Sequence, residues 1–523
     1  MKRAVPAVAA MAALVAVFLA TAALASQGAT AVKTAKQPFL VGTAPGVVVD
    51  PILSTGDVVP NGQTPAYQMS GIPDGLGAYA NKSHGHGPAK GRGKLPRTFT
   101  VVMNHELGRS FPNNPAGVDA RISRLRIDRA THSVQEAKYL FTGLEGYERF
   151  CSATLRIVGG KAFYFTGEEA IPMPNQPPGP AHDGSSIVMN AETGAFTDTA
   201  HFGHLQHENV VPLRLSKWVF LTTDDDFRAG QPAYLYAYIA SSFKRAVAGT
   251  QGSLYVWKAD NPAETGNATA AKGESIPGHF VPITQAENAN DNTLKAAATA
   301  KGAFKFDRLE DAAALPGKDS RVFVADTGKA PATLRGRVYQ LDFDRSHPTG
   351  ATLKMIVNGD PPDNDDIYNP DNMAASDRVL MIQEDREAVF RVPSAGGGYG
   401  RVMEYRFSDG RLRSVARVNT PPGDPPNPEN CTNCLPGTWE SSGIIDAGRV
   451  LGRNWWLLDV QSHNSTAPQP GPTLAPNSST GENGQLLAVL VPDSQGGGHG
   501  NAKGKDDHKD KGKDNGHGEK RGH

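Results

Sequence analysis

One pattern recurs six times between Phe99 and Asp493: a strongly apolar strand running into acidic or amide residues, a turn, then a second strand with β-type alternation. The leading strands are FTVVMNHE (Phe99 to Glu106), AFYFTGEE (Ala162 to Glu169), WVFLTTDDD (Trp218 to Asp226), RVFVADTG (Arg321 to Gly328), RVLMIQED (Arg378 to Asp385) and WWLLDVQSH (Trp455 to His463). Their followers begin at Ile122, Ser186, Ala233, Gly336, Gly400 and Gly484. A hairpin cannot bury both of its faces alone, so six such units are expected to close radially into an all-β fold, a six-bladed β-propeller. The units lie roughly 55 to 100 residues apart, longer than a compact WD or kelch repeat, which predicts large loop insertions. A solenoid or a two-domain β protein is the competing arrangement. With 57 Gly and 39 Pro, the composition suits many short strands joined by turns better than a helical bundle.

The ends of the chain read differently. A basic start at Met1 to Arg3, an apolar run from Ala4 to Ala20 and a small-x-small site at Ala23-Leu24-Ala25 predict a signal peptide over residues 1–25 and export by general secretion. The propeller domain is then expected over residues 26–493, interrupted by a disordered His/Gly/Lys insertion at 83–94 and followed by a disordered tail at 494–523. No later stretch is long and apolar enough to span a bilayer. The 53 basic and 53 acidic side chains cancel, which argues against a nucleic-acid partner held by phosphate contacts. Of three cysteines, Cys431 and Cys434 are spaced for a local disulfide, with no further Cys or His pair nearby to complete a zinc site; Cys151 is left unpaired.

In a propeller, equivalent strand ends point to the same end of the central channel. Glu106, Glu168, Asp224, Asp326, Glu384 and Asp459 are therefore expected to converge. Crowded carboxylates repel unless they protonate or share hard cations, and an oxygen-rich cluster suits calcium or iron(III) better than soft metals. The plainer alternative is that acids end strands for turn chemistry and solvation.

Read with their neighbours, these segments resemble the PhoX-type alkaline phosphatases. IPDGLGAY (Ile72 to Tyr79) leads to VVMNHELG (Val101 to Gly108), and FCSATLRIVGGKAFYFTGEEA (Phe150 to Ala170) carries a cysteine followed by a double glutamate. In the same order come the His-Glu of GHLQHENVV (Gly203 to Val211), the acidic run TTDDD, FDRLEDAA (Phe306 to Ala313), NPDNMA (Asn369 to Ala374) and IQEDRE (Ile382 to Glu387). The chain departs from the family where a Trp-Gly-Thr-Trp stretch is replaced by ATLRIVGGKAFYF, and where Arg-Pro-Glu becomes Arg308-Leu309-Glu310.

The resemblance implies a secreted monomeric phosphatase of small phosphate esters. It implies Cys151 and Glu208 as iron ligands with Glu310 as a third, Glu106, Glu168, Glu169, Asp371 and Glu384 serving mainly calcium, and Arg308 holding substrate phosphate. A salt bridge from Arg308 to Glu310 or Asp311 is the rival role for that side chain. His105 and His207 are expected beside the ligands rather than among them. A calcium-stabilised binding propeller, or a lactonase or phosphodiesterase, is compatible with the same pattern, because fold does not fix function.

Overall fold

The computed structural model describes residues 31–60, 66–82, 85–88, 95–108, 119–172, 181–283, 289–329, 334–386, 398–465 and 482–493. The expected signal peptide, most of the 83–94 insertion and the 494–523 tail lie outside the described residues. The strands form one compact unit within Met1–Val491.

Every hairpin expected from the sequence is present, and each is preceded by one more strand. These additional strands, Pro73–Lys82, Phe150–Val158, His207–Arg214, Leu309–Ala314, Pro370–Ala375 and Glu440–Asp446, are the innermost of their sheets. Each packs against the next, and the last packs against the first, so they line a closed ring. The leading strands of the sequence pattern are the second strands outward: Thr98–His105, Lys161–Glu168, Trp218–Asp224, Arg321–Asp326, Val379–Glu384 and Trp455–Ser462. The architecture is a β-propeller.

Apolar alternation explains why the sheets stack around an axis. In Thr98–His105, Val101 and Met103 pack with Leu457, Leu486 and Ala488 of the last sheet, whereas Val102 packs with Phe150, Tyr164 and Ile187 of the next. Side chains on a strand alternate between its two faces, so a strand wedged between two neighbours needs apolar residues at consecutive positions. Six apolar clusters fill the seams in turn, including Leu221 with Val322 and Leu341 between the third and fourth sheets, and Met381 with Trp456 and Leu458 between the fifth and sixth.

Three features deviate from identical sheets. The third and fourth are joined at their outer edges, where Ser275–Pro282 pairs antiparallel with Gly350–Asn358. A helix, Asp291–Ala300, lies in the insertion between them, its first turn capped by the Asn290 side chain. The last two sheets take their outermost strands from the other end of the chain: Leu40–Gly42 pairs with Leu412–Val418, and Val48–Ser54 pairs with Asn483–Leu490. Cys431 and Cys434 form a disulfide, and Cys151 is free and buried. Among the described residues, no helix is long and apolar enough to cross a membrane.

Candidate metal centre

The first five inner strands share one irregularity. Pairing runs from Pro73↔His105 to Leu76↔Met103, and likewise from Phe150↔Glu168 to Ala153↔Thr166, His207↔Asp224 to Val210↔Thr222, Leu309↔Asp326 to Ala312↔Val324, and Pro370↔Glu384 to Met373↔Ile382. Each jump puts one extra residue into the inner strand, a β-bulge, which kinks the strand and redirects side chains. The two residues inside the bulges are Asp74-Gly75, Cys151-Ser152, Glu208-Asn209, Glu310-Asp311 and Asp371-Asn372. The first of each pair is the metal-binding type.

Those five side chains, with Glu106, Glu169, Asp385 and Glu440, form four overlapping groups whose potential ligand atoms lie within 4.8 Å of one another: Asp74/Glu106/Cys151, Cys151/Glu169/Glu208, Glu208/Glu310/Asp371 and Asp371/Asp385/Glu440. They make a continuous arc. The second residues of two bulges brace the first residues of others: Ser152 donates its amide and hydroxyl to Glu208 (3.1 and 2.5 Å), and Asn372 Nδ2 donates to Ser152 Oγ (2.7 Å) and Asp74 Oδ1 (3.3 Å). Gly75 is required here by space, since a Cβ on it would lie 2.5 Å from the Cys151 carbonyl oxygen.

Two guanidiniums face the arc. Arg308 makes a fork with Asp225 (Nε to Oδ1 2.8 Å, Nη2 to Oδ2 2.7 Å) and an ion pair with Glu310 at 2.8 Å. The salt bridge weighed from the sequence therefore exists with Glu310, and the main partner is the unexpected Asp225. Arg149 reaches Glu106 through Nε (3.3 Å) and Glu169 through Nη2 (2.6 Å). Their side chains keep 18% and 27% exposure, against 0 to 11% for these four partners, so the two cations mark the open side of the site.

Burial pushes Asp74, Glu169, Glu208, Glu310, Asp371, Glu440 and the Cys151 thiol well above their ordinary ranges, and repulsion among neighbouring acids adds to it. Burial also opposes ionisation of Asp225, yet Arg308 pulls it below the usual carboxylate range. Eight carboxylates and one thiol thus crowd into a largely buried arc, with only Asp371 and Asp385 partly exposed. This donor set fits hard cations, with the thiolate able to serve iron.

The structure brings Glu106, Cys151, Glu169, Glu208, Glu310, Asp371 and Arg308 together. Glu168 and Glu384, expected alongside them, point elsewhere. Glu168 accepts from the amides of Glu148 (2.8 Å) and Gly184 (2.9 Å), and Glu384 from the Tyr368 amide (3.0 Å) and from Arg386 and Arg401. Asp326 behaves similarly, accepting from the amides of Asp307 and Arg308, and Asp224 is held by Lys295. These acids occupy the last register pair before each bulge, where they tie down the loop leading into the inner strand. The channel-facing residue is one further on: Glu169 rather than Glu168, Asp225 rather than Asp224, Asp385 rather than Glu384. Asp459 is buried beside Asp74 and Glu440 without a hydrogen-bond partner for either oxygen among the described residues.

Asp74, Arg149, Asp225, Asp385 and Glu440 were not singled out from the sequence. Asp74 lay in the Asp-Gly-x-Gly motif, and Asp225 and Asp385 lay inside the acidic runs, so one-residue phasing would have found them. Glu440 follows Trp439 in a segment with no acidic strand end to flag it.

A family model described as "Alkaline phosphatase PhoX" matches residues 190–416, which contain Glu208, Asp225, Arg308, Glu310, Asp371 and Asp385. Among solved structures, PhoX of Pseudomonas fluorescens in complex with vanadate, described as a transition state analogue, superposes with a TM-score of 0.56 at 13% identity, covering 88% of this chain and 98% of that one. Residues 190–416 thus resemble the PhoX alkaline phosphatases, and the chain shares the PhoX fold. The haemagglutinin-neuraminidase ectodomain of parainfluenza virus 5 aligns over 92% of this chain and 95% of its own at 8% identity, but with a TM-score of only 0.34. No curated protein sequence matches. The family match covers the third to fifth sheets, while the arc residues Asp74, Glu106, Cys151, Glu169 and Glu440 lie outside it.

Proposed function

We propose that the protein is a secreted, metal-dependent phosphatase that hydrolyses phosphomonoesters at this arc. The observation that carries the reading is the pairing of a largely buried arc of acids with two guanidiniums on its open side. Cys151, Glu208 and Glu310 would hold iron, and Asp74, Glu106, Glu169, Asp371, Asp385 and Glu440 would serve calcium. Bound cations of this kind neutralise phosphate charge and polarise its oxygens.

The chain's own contribution is positioning. A guanidinium matches phosphate oxygens in a planar fork. Asp225 and Glu310 fix the plane of Arg308, while Glu106 and Glu169 fix Arg149, so both cations are oriented before substrate arrives. Preorganised charge of this sort acts on the transition state without reorganisation at the moment of reaction. The leader expected over residues 1–25 and the family resemblance support export.

Elemental analysis of the purified protein, combined with p-nitrophenyl phosphate hydrolysis at alkaline pH, tests the reading. Iron and calcium with turnover support it. Calcium without iron and no turnover would instead identify a binding propeller, and turnover of only a diester or lactone a different hydrolase.

A further inference from the structure

Phe227 is a large apolar side chain left 38% exposed, and its ring lies 5.3 Å from the Arg149 guanidinium carbon. A single exposed apolar residue is ordinary on a protein surface. Two observations set this one apart. The first is position: Arg149 is bonded to Glu106 and Glu169, members of two adjoining ligand groups, so the ring stands at the edge of the arc.

The second is bracing. Phe227 sits on a turn between Asp226 and Arg228 whose conformation is held from three directions. The Asp226 carboxylate accepts from the Arg228 amide (2.8 Å) and guanidinium (2.6 Å at Nη2). Arg228 in turn pairs with Asp291 on the helix Asp291–Ala300. Lys329 Nζ donates to the carbonyls of Asp226, Arg228 (3.1 Å) and Gln231 (2.8 Å). A turn fixed this thoroughly presents its aromatic ring at little further entropic cost on binding.

We infer that Phe227, backed by Arg149, forms a leaving-group subsite for flat, apolar phosphate esters, aryl phosphates above all. The inference rests on the phosphatase reading of the arc. With the phosphoryl oxygens on the guanidiniums, the organic group of the ester leaves the site past Arg149 and over Phe227. A flat ring gains an offset or edge-on contact with Phe227 and a cation–π contact with Arg149. A short polyol phosphate gains neither.

The experiment compares phenyl phosphate with glycerol 2-phosphate on the protein as purified, in wild type, Phe227→Ala and Phe227→Trp. The ratio of the two kcat/KM values is expected to fall about fivefold to tenfold in Phe227→Ala and to be kept in Phe227→Trp, which restores the aromatic face. An unchanged ratio in Phe227→Ala overturns the inference. Calorimetric binding of phenylphosphonate against methylphosphonate, which needs no turnover, separates the two claims. Preference for the phenyl compound that is lost in Phe227→Ala upholds the subsite even where no ester is hydrolysed and the phosphatase reading fails. Equal affinity in wild type overturns the subsite even where esters are hydrolysed.

Discussion

Lys295 offers a sharp test of how the third sheet holds its acidic end. It lies on the helix Asp291–Ala300 with 5% side-chain exposure, and its ammonium contacts Asp224, Asp226 (3.1 Å) and Asp291 (3.6 Å). Asp224 and Asp226 flank Asp225, the residue that aligns Arg308. Replacing Lys295 by Met keeps the volume and removes the charge, leaving Asp224 fully buried without its cation. Breaking a buried pair from one side costs about 3–5 kcal/mol.

At about 2.1 cal/mol/K of unfolding entropy per residue, a chain of 523 residues loses roughly 1 °C in Tm per kcal/mol. Calorimetry at pH 8 should therefore show Tm lowered by about 3–5 °C. The sign of the pH dependence is also determined. Burial already pushes the Asp224 carboxyl up to about 7 although Lys295 opposes it, so removing Lys295 raises it further. An acid whose folded value is raised contributes stability below its unfolded value, and loses it as pH rises through the folded one. The variant's deficit should accordingly shrink as pH is lowered from 8 towards 5, because Asp224 can then protonate. A deficit under 1 °C at pH 8, or one that grows with acidification, would refute the argument.

The remaining expectations concern the arc. Glu168→Gln should lower stability by about 1–3 kcal/mol through its weakened hold on two amides while retaining bound metal, whereas Glu169→Gln should lose metal and turnover with less effect on folding; elemental analysis with thermal melts distinguishes them. Verified removal of calcium by EGTA should lower both Tm and activity, since the acids then face one another unscreened, and unchanged melting would sink the cation-sharing account. Iron bound by the Cys151 thiolate should colour the protein by charge transfer; Cys151→Ala should be colourless and inactive yet folded, and a variant with full iron and full activity would rule out ligation by this residue.

The hairpin carrying each acidic strand end was legible because its apolar run is dense and its alternation regular. The innermost strands were not, for an identifiable reason: PDGLGAYANK, LEDAAA and PDNMAA begin with Pro, Gly and acids, read as turns, and are broken by the bulges that make them useful. Convergence of acids at one end of the channel was readable; its phase was not. A shift of one residue turns a strand side chain to the opposite face, which separates Glu168 from Glu169 and Glu384 from Asp385. Arg308 was found from its motif, while Arg149, with a left-handed backbone (φ 54°) in the loop before an inner strand, carries no pattern of its own.

The pairing of Val48–Ser54 with Asn483–Leu490 has a kinetic consequence. The circle of sheets is completed by segments from opposite ends of the described chain, so the final seam cannot form until nearly all of the polypeptide has been made. Contacts so distant in sequence impose a large loop-closure cost and slow folding. Until closure, Leu457, Leu486 and Ala488 present an uncovered apolar surface to whatever is nearby, and incompletely wound chains are the species most exposed to aggregation or capture by chaperones.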